Sequence, residues 1–139
     1  MDVGKKQILF HHKKWFQQKI NMQKIGYYRK SGELFLQNIN LKKLVNYYGT
    51  PTFVYDSNLI KNSFHLLKNV MDPLNGKIHF AVKSNDNLGI IKYLNNLGAG
   101  TDVVSIGELK RCLKVSVRPD DIIFSGVGKQ KEFLIKFES

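Results

Sequence analysis

Residues 78–113 read IHFAVKSNDNLGIIKYLNNLGAGTDVVSIGELKRCL, and the order of textures within them decides the fold. Ile78 to Val82 is an apolar run of strand length, and Leu88 to Leu97 carries apolar residues at helical spacing. Thr101 to Val104 then reads as a second strand and Gly107 to Leu113 as a second helix. Parallel strands need long crossovers, which helices supply, so this order predicts a parallel sheet with helices packed on it. Within the first strand Ile78, Phe80 and Val82 alternate with His79, Ala81 and Lys83, which puts Lys83 and Ala81 on one face.

Outward from this stretch the alternation continues. Downstream, Ile122 to Ser125 predicts a strand, and a helical stretch starts at Lys131. Upstream, Thr52 to Tyr55 predicts a strand, followed by a helix capped by Asp56 or Ser57, with Leu59, Ile60, Phe64, Leu67, Val70 and Met71 at helical period. Pro73 and Gly76 end that helix. Farther upstream, Tyr27 to Leu36 reads as a hairpin turning at Ser31-Gly32. Asn40 caps a helix that Gly49 stops. The fold class is therefore α/β, either a parallel sheet or a (β/α) barrel; as a barrel, it would be the first three to four units of a partial (β/α) TIM-type barrel. Four strands are too few to close an eight-stranded barrel, so the expectation is a chain truncated before closure.

With 139 residues, 42% of them hydrophobic and 24% charged, the chain has room for one folded domain of ordinary globular composition. Its single cysteine, Cys112, rules out an intrachain disulfide and a multi-cysteine metal cluster, and fits a cytoplasmic protein. No run approaches the roughly 18–20 apolar residues that span a bilayer, so no membrane association is expected. The net charge of +11 raises the idea of a nucleic-acid-binding module, but six lysines against Asp2 put +5 of it within residues 1–24. No helix-turn-helix, finger or aromatic RNA-binding pattern accompanies it, so no nucleic-acid partner is expected. Residues 1–24 are expected to form a basic extension outside the fold, with Met22 as the natural start and a body over 25–139. The adjacent His11 and His12 point about 100° apart on a helix, so no metal site is expected there.

Lys83 ends an apolar strand directly before the polar cluster Ser84-Asn85-Asp86-Asn87. A lysine that acts as a nucleophile has to be partly desolvated, since burial disfavours the ammonium form. By spacing alone, a lysine at a strand end is far more often a solvated edge residue.

Three segments carry a family likeness: His79-Phe80-Ala81-Val82-Lys83-Ser84-Asn85, Gly98-Ala99-Gly100-Thr101-Asp102-Val103-Val104-Ser105-Ile106-Gly107-Glu108-Leu109, and Ile123-Phe124-Ser125-Gly126-Val127-Gly128-Lys129. With the lead-in Tyr48-Gly49-Thr50-Pro51-Thr52-Phe53-Val54-Tyr55, the chain from about Ile25 onward resembles the ornithine, diaminopimelate and arginine decarboxylases of alanine-racemase-like fold. Its wording is similar to the diaminopimelate branch. The resemblance implies pyridoxal 5'-phosphate as cofactor, Lys83 as the catalytic lysine that holds it, and Asp102 and Glu108 as cofactor-binding carboxylates. It implies decarboxylation of meso-2,6-diaminopimelate to L-lysine by a homodimer, with a phosphate loop and a C-terminal β-domain farther along. An ornithine or arginine substrate, or a non-catalytic fragment that pairs with a full-length homologue, are the alternatives.

Two plainer readings stand beside these roles: an Asp at a strand's end often caps the next helix, and a Glu in a first turn favours the helix dipole. The glycines read as turn residues. Thr101, Ile106 and Val115-Ser116 depart from the family wording; the last places serine where a glycine favours the helix end, at a cost of order 1 kcal/mol.

Overall fold

The computed structural model describes residues 26–127, which form two units divided within a helix, at Ile60 and Lys61. The basic extension over residues 1–24, the boundary at 25 and the helix from Lys131 lie outside the described residues.

In the first unit, β1 (Tyr27–Lys30) and β2 (Glu33–Leu36) form the expected hairpin, in antiparallel register from Tyr27 opposite Leu36 to Lys30 opposite Glu33. Ser31 and Gly32 both have positive φ, 51° and 79°, as a two-residue turn matched to strand twist requires. Tyr28 and Phe35 stack across the pair with centroids 5.4 Å apart. A short third strand, β3 (Ile39–Asn40), adds to β2.

Asn40 caps α1 (Leu41–Tyr48): its side chain accepts from the Lys42 and Lys43 amides at 2.9 and 3.2 Å. Gly49, at φ 76°, closes that helix by donating to the Val45 carbonyl. Thr52 to Tyr55 was expected as a strand and joins no sheet among the described residues. Phe53 and Tyr55 keep the i, i+2 stacking of an extended segment, but a strand is defined by its ladder, which local pattern does not supply. Asp56, rather than Ser57, caps α2 (Ser57–Met71), accepting from the amides of Asn58 and Leu59 at 2.8 and 3.2 Å.

The second unit holds the parallel sheet, in the order β4 (His79–Ala81), β5 (Gly100–Val103), β6 (Ile122–Phe124). Crossover helices α3 (Leu88–Asn96) and α4 (Ile106–Lys114) connect them in turn, as the alternation required. Period-two alternation sorts the strand side chains. Val103 packs with Val82, Ile91 of α3, and Leu109 and Cys112 of α4, and Phe80, Ile122 and Phe124 join that cluster. Thr101, one pleat back from Val103, is also buried. Ala81, Asp102 and Ile123, aligned by the register, take the opposite face. Removing the helix-facing side chains from water, at about 25 cal/mol per Å² of apolar surface, is the main stabilising term.

The helix ends repeat one device. After α3, Gly98 (φ 101°) donates to Asn95 and Ala99 donates to Leu94, the paired bonds of a Schellman motif. The short 3₁₀ turn that extends α2 ends the same way, with Asn75 at φ 52° and Gly76 donating to Met71. After α4 the motif forms on Ser116, at φ 63°, with Ser116 donating to Leu113 and Val117 to Cys112. The expected strain at the Val115-Ser116 departure is therefore located in one left-handed serine.

Ser116→Gly is expected to stabilise the chain by about 1 kcal/mol, read as a raised urea midpoint with an unchanged slope. Burial pushes the Cys112 thiol up, the nearby Thr101 hydroxyl opposing and Glu108 adding charge repulsion. A group raised in the folded state contributes stability below its unfolded pKa and loses it as pH climbs toward the folded one. The alkaline fall in stability is thus expected to be shallower in Cys112→Ala than in the parent chain, measured by denaturation across pH 8 to 11, about the thiol's ordinary range.

Candidate functional site

Lys83 does not continue the strand, as alternation had suggested. β4 ends at Ala81, and Val82–Ser84 turn into a 3₁₀ helix in which the Ser84 hydroxyl donates to the Ala81 carbonyl at 2.7 Å and the Asn85 amide to Val82 at 3.0 Å. The turn drops Val82 into the core with no exposure and leaves Lys83 exposed. The desolvation expected from the apolar run goes to Val82, not to the lysine. Among the described residues the Lys83 amine has neither a hydrogen bond nor an ion pair.

The loop that follows is tied down. Asn85 accepts from the Asn87 amide, and Asn87 caps α3 by accepting from Gly89 and Ile90. Arg111 of α4 reaches Asp86 with an ion pair at 3.0 Å and a second contact to its carbonyl at 3.4 Å. Both ends of the lysine turn are held, one by the ladder and one by a helix cap.

Asp102 lies beside the lysine's strand, because Ala81 pairs with Asp102 in the β4–β5 register. It caps no helix: Ser105 caps α4, its hydroxyl accepting from the Glu108 amide at 3.3 Å. Asp102 instead accepts a 2.6 Å hydrogen bond from the Ser125 hydroxyl, just past β6. The plainer reading weighed for this aspartate is thus not the one it adopts.

For Glu108 the plainer reading is realised. Its carboxylate accepts from the Val104 amide at 2.9 Å, so with Ser105 it forms a reciprocal cap close to a capping box. Lys83, Asp102 and Glu108 are brought to the C-terminal ends of β4 and β5, the edge at which parallel α/β folds gather their chemistry.

Two glycines mark close approaches, Gly100 at the start of β5 and Gly126 past the end of β6. A Cβ on Gly100 meets the His79 ring and lies 2.6 Å from the Asp121 carbonyl, and a Cβ on Gly126 meets the Val104 carbonyl. Gly98 ends α3 and Gly107 lies in the first turn of α4, as the turn reading held; Gly128 lies outside the described residues. Sequence reasoning gave no role to Ser125 or Arg111. Their partners stand 23 and 25 positions away, a separation that strand register and crossover packing close and local pattern does not signal.

The Lys83 amine is accessible to an aldehyde-bearing cofactor, and the partial desolvation that such a nucleophile needs is not supplied by the described residues. Residues 57–138 match the family model described as pyridoxal-dependent decarboxylase, pyridoxal binding domain. Over 106 residues the chain is 42% identical to the diaminopimelate decarboxylase of Aquifex aeolicus, covering 76% of this chain and 24% of that protein. The diaminopimelate decarboxylase of Pseudomonas fluorescens is 41% identical over 103 residues, 74% of this chain and 25% of its own. Among solved structures, a protein of Aquifex aeolicus superposes with a TM-score of 0.74 at 39% identity, over 80% of this chain and 27% of its own. The Helicobacter pylori diaminopimelate decarboxylase complexed with L-lysine gives 0.65 at 37% identity, over 71% of this chain and 25% of its own. The chain spans about a quarter of the length of the curated relatives it matches.

Glu108→Ala is expected to cost about 1–2 kcal/mol of stability in urea titrations, because it frees the Val104 amide and removes half of the α4 cap.

Proposed function

As a member of the pyridoxal-dependent decarboxylases, the family to which this chain belongs, the protein has a lysine that we propose holds pyridoxal 5'-phosphate, Lys83, in an enzyme converting meso-2,6-diaminopimelate to L-lysine. The observation that carries the proposal is the unpartnered Lys83 amine in its His79-Phe80-Ala81-Val82-Lys83 setting, one strand away from Asp102. The likeness to diaminopimelate decarboxylases, at about 40% identity, supports the substrate. The same resemblance supports a homodimer, and the absence of any helix long and apolar enough to cross a membrane among the described residues accords with the cytoplasmic setting we propose.

Pyridoxal phosphate, when bound, supplies the sink for the electron pair left on the α-carbon as CO2 departs. The chain's own residues have simpler tasks. Lys83 would hold the cofactor through its primary amine and would carry a proton when that amine is free. The 3₁₀ turn fixes where that amine starts, through the Ser84 and Asn85 hydrogen bonds. Asp102, on the strand paired with the one that leads into the lysine turn, would contribute negative charge to the cofactor's surroundings. Glu108 contributes charge from the α4 N-terminus while serving the cap.

The test is chemical trapping. The chain mixed with pyridoxal 5'-phosphate, reduced with borohydride and digested is expected to carry its label chiefly on Lys83, and Lys83→Ala to lose it. Label spread evenly over the surface lysines, or concentrated on another one, contradicts the assignment. Release of CO2 from ornithine or arginine in preference to meso-2,6-diaminopimelate, by an enzyme containing this chain, contradicts the substrate.

A further inference from the structure

The lysine turn is fastened from outside its own crossover. Ser84 and Asn85 turn back on the end of β4, Asn85 accepts from the Asn87 amide, and Asn87 caps α3. Those hydrogen bonds leave out the side chain of Asp86, three residues past Lys83. Among the described residues it meets one partner, Arg111 of α4, 25 positions away. Arg111 Nε stands 3.0 Å from the Asp86 carboxylate, and Nη1 reaches the Asp86 carbonyl at 3.4 Å. Two nitrogens of one planar group thus address the side chain and the main chain of one residue, which sets direction as well as distance.

The helix delivers the guanidinium to that point. Leu109 and Cys112, on either side of Arg111 in α4, are buried in the cluster that also holds Val82, the residue before the lysine, and Ile91 of α3. Glu108 stands three residues before Arg111, the spacing of neighbours on a helix surface. The helix whose first turn carries Glu108 is thereby tied to the loop that carries Lys83.

We propose that Arg111 is a positioning residue for Lys83: by holding Asp86 it fixes the lysine turn against α4, and so fixes where the amine meets pyridoxal 5'-phosphate. The inference rests on the assignment of Lys83 made above. The side chains of the pair are 47% and 59% exposed, so it contributes little to global stability. Its effect is local, on a loop that opens without unfolding the chain.

Two readouts on the whole chain test this role. Amide hydrogen exchange, followed by NMR, reads the loop itself. In Arg111→Ala the Asn85 and Asn87 amides are expected to exchange about two- to fivefold faster, the range an exposed ion pair supplies. The Gly100 amide, bonded to the Ile78 carbonyl, and the urea midpoint are expected to stay at parent values. The second readout is the ratio of label on Lys83 to label on Lys92 after pyridoxal 5'-phosphate and borohydride, by peptide mass spectrometry. Arg111→Ala is expected to lower that ratio by about two- to fivefold. Asp86→Ala is expected to lower it equally, and the double variant no further, because both act through one contact. A cation that merely attracted the phosphate would behave otherwise, since removing Asp86 would then raise the ratio. Unchanged loop exchange or an unchanged ratio in Arg111→Ala, a ratio raised by Asp86→Ala, or an additive loss in the double variant overturns the role of Arg111 and leaves Lys83 in place. Absence of preferential label on Lys83 in the parent chain overturns the assignment of the lysine and the inference with it.

Discussion

The constraint on which the second unit depends is the register of β5 between its two parallel neighbours. Once Asp102 is opposite both Ala81 and Ile123, period two sends Thr101 and Val103 toward α3 and α4 and sends Asp102 the other way. A slip by one residue would bury the aspartate among Val82, Ile91, Leu109 and Cys112 and expose two apolar or weakly polar side chains. Burying an unpaired carboxylate costs far more than any contact at the strand ends returns. The hydrophobic demand of the helix face therefore fixes the chemistry of the opposite face. Ala81, the last residue of β4 before the lysine turn, and Ser125, just past β6, inherit their places on either side of Asp102 from that one alignment.

The helix ends translate the alignment into fixed loops. Asn87 and Ser105 start α3 and α4 with side-chain caps, and Gly98 and Ser116 end them in left-handed residues whose amides close the last turn. Buried residues follow directly, Ala99 after Gly98 and Val117 after Ser116, so each exit feeds the chain back into the core. The serine that departs from the family wording is tolerated because the two hydrogen bonds of the motif use only backbone atoms. It pays for the missing glycine in conformational strain alone.

Much of this was legible in the residues. The caps at Asn40 and Asp56, the turn at Ser31-Gly32, the stops at Gly49 and Gly76, and the alternation of β4, α3, β5, α4 and β6 all rest on local chemistry, which a sequence displays. What the sequence did not display is non-local. Thr52 to Tyr55 has the composition of a strand and no ladder among the described residues. Ile39 and Asn40 extend a sheet although they have hardly any pattern at all. The strand expected to reach Lys83 ends at Ala81, where Ser84 turns back and Val82–Ser84 form a 3₁₀ helix. The site was legible as a set of names through family wording, but not as an arrangement. Glu108 is engaged in a helix cap, and Asp102 is held by Ser125, a residue that no spacing rule connects to it.

The most direct measurement of the account is a crystal structure of the chain after reaction with pyridoxal 5'-phosphate and borohydride. Continuous density from Lys83 Nζ to the former aldehyde carbon, with Asp102 still hydrogen-bonded to Ser125, is the predicted result. An unmodified Lys83 alongside density on a different lysine contradicts the account at its centre.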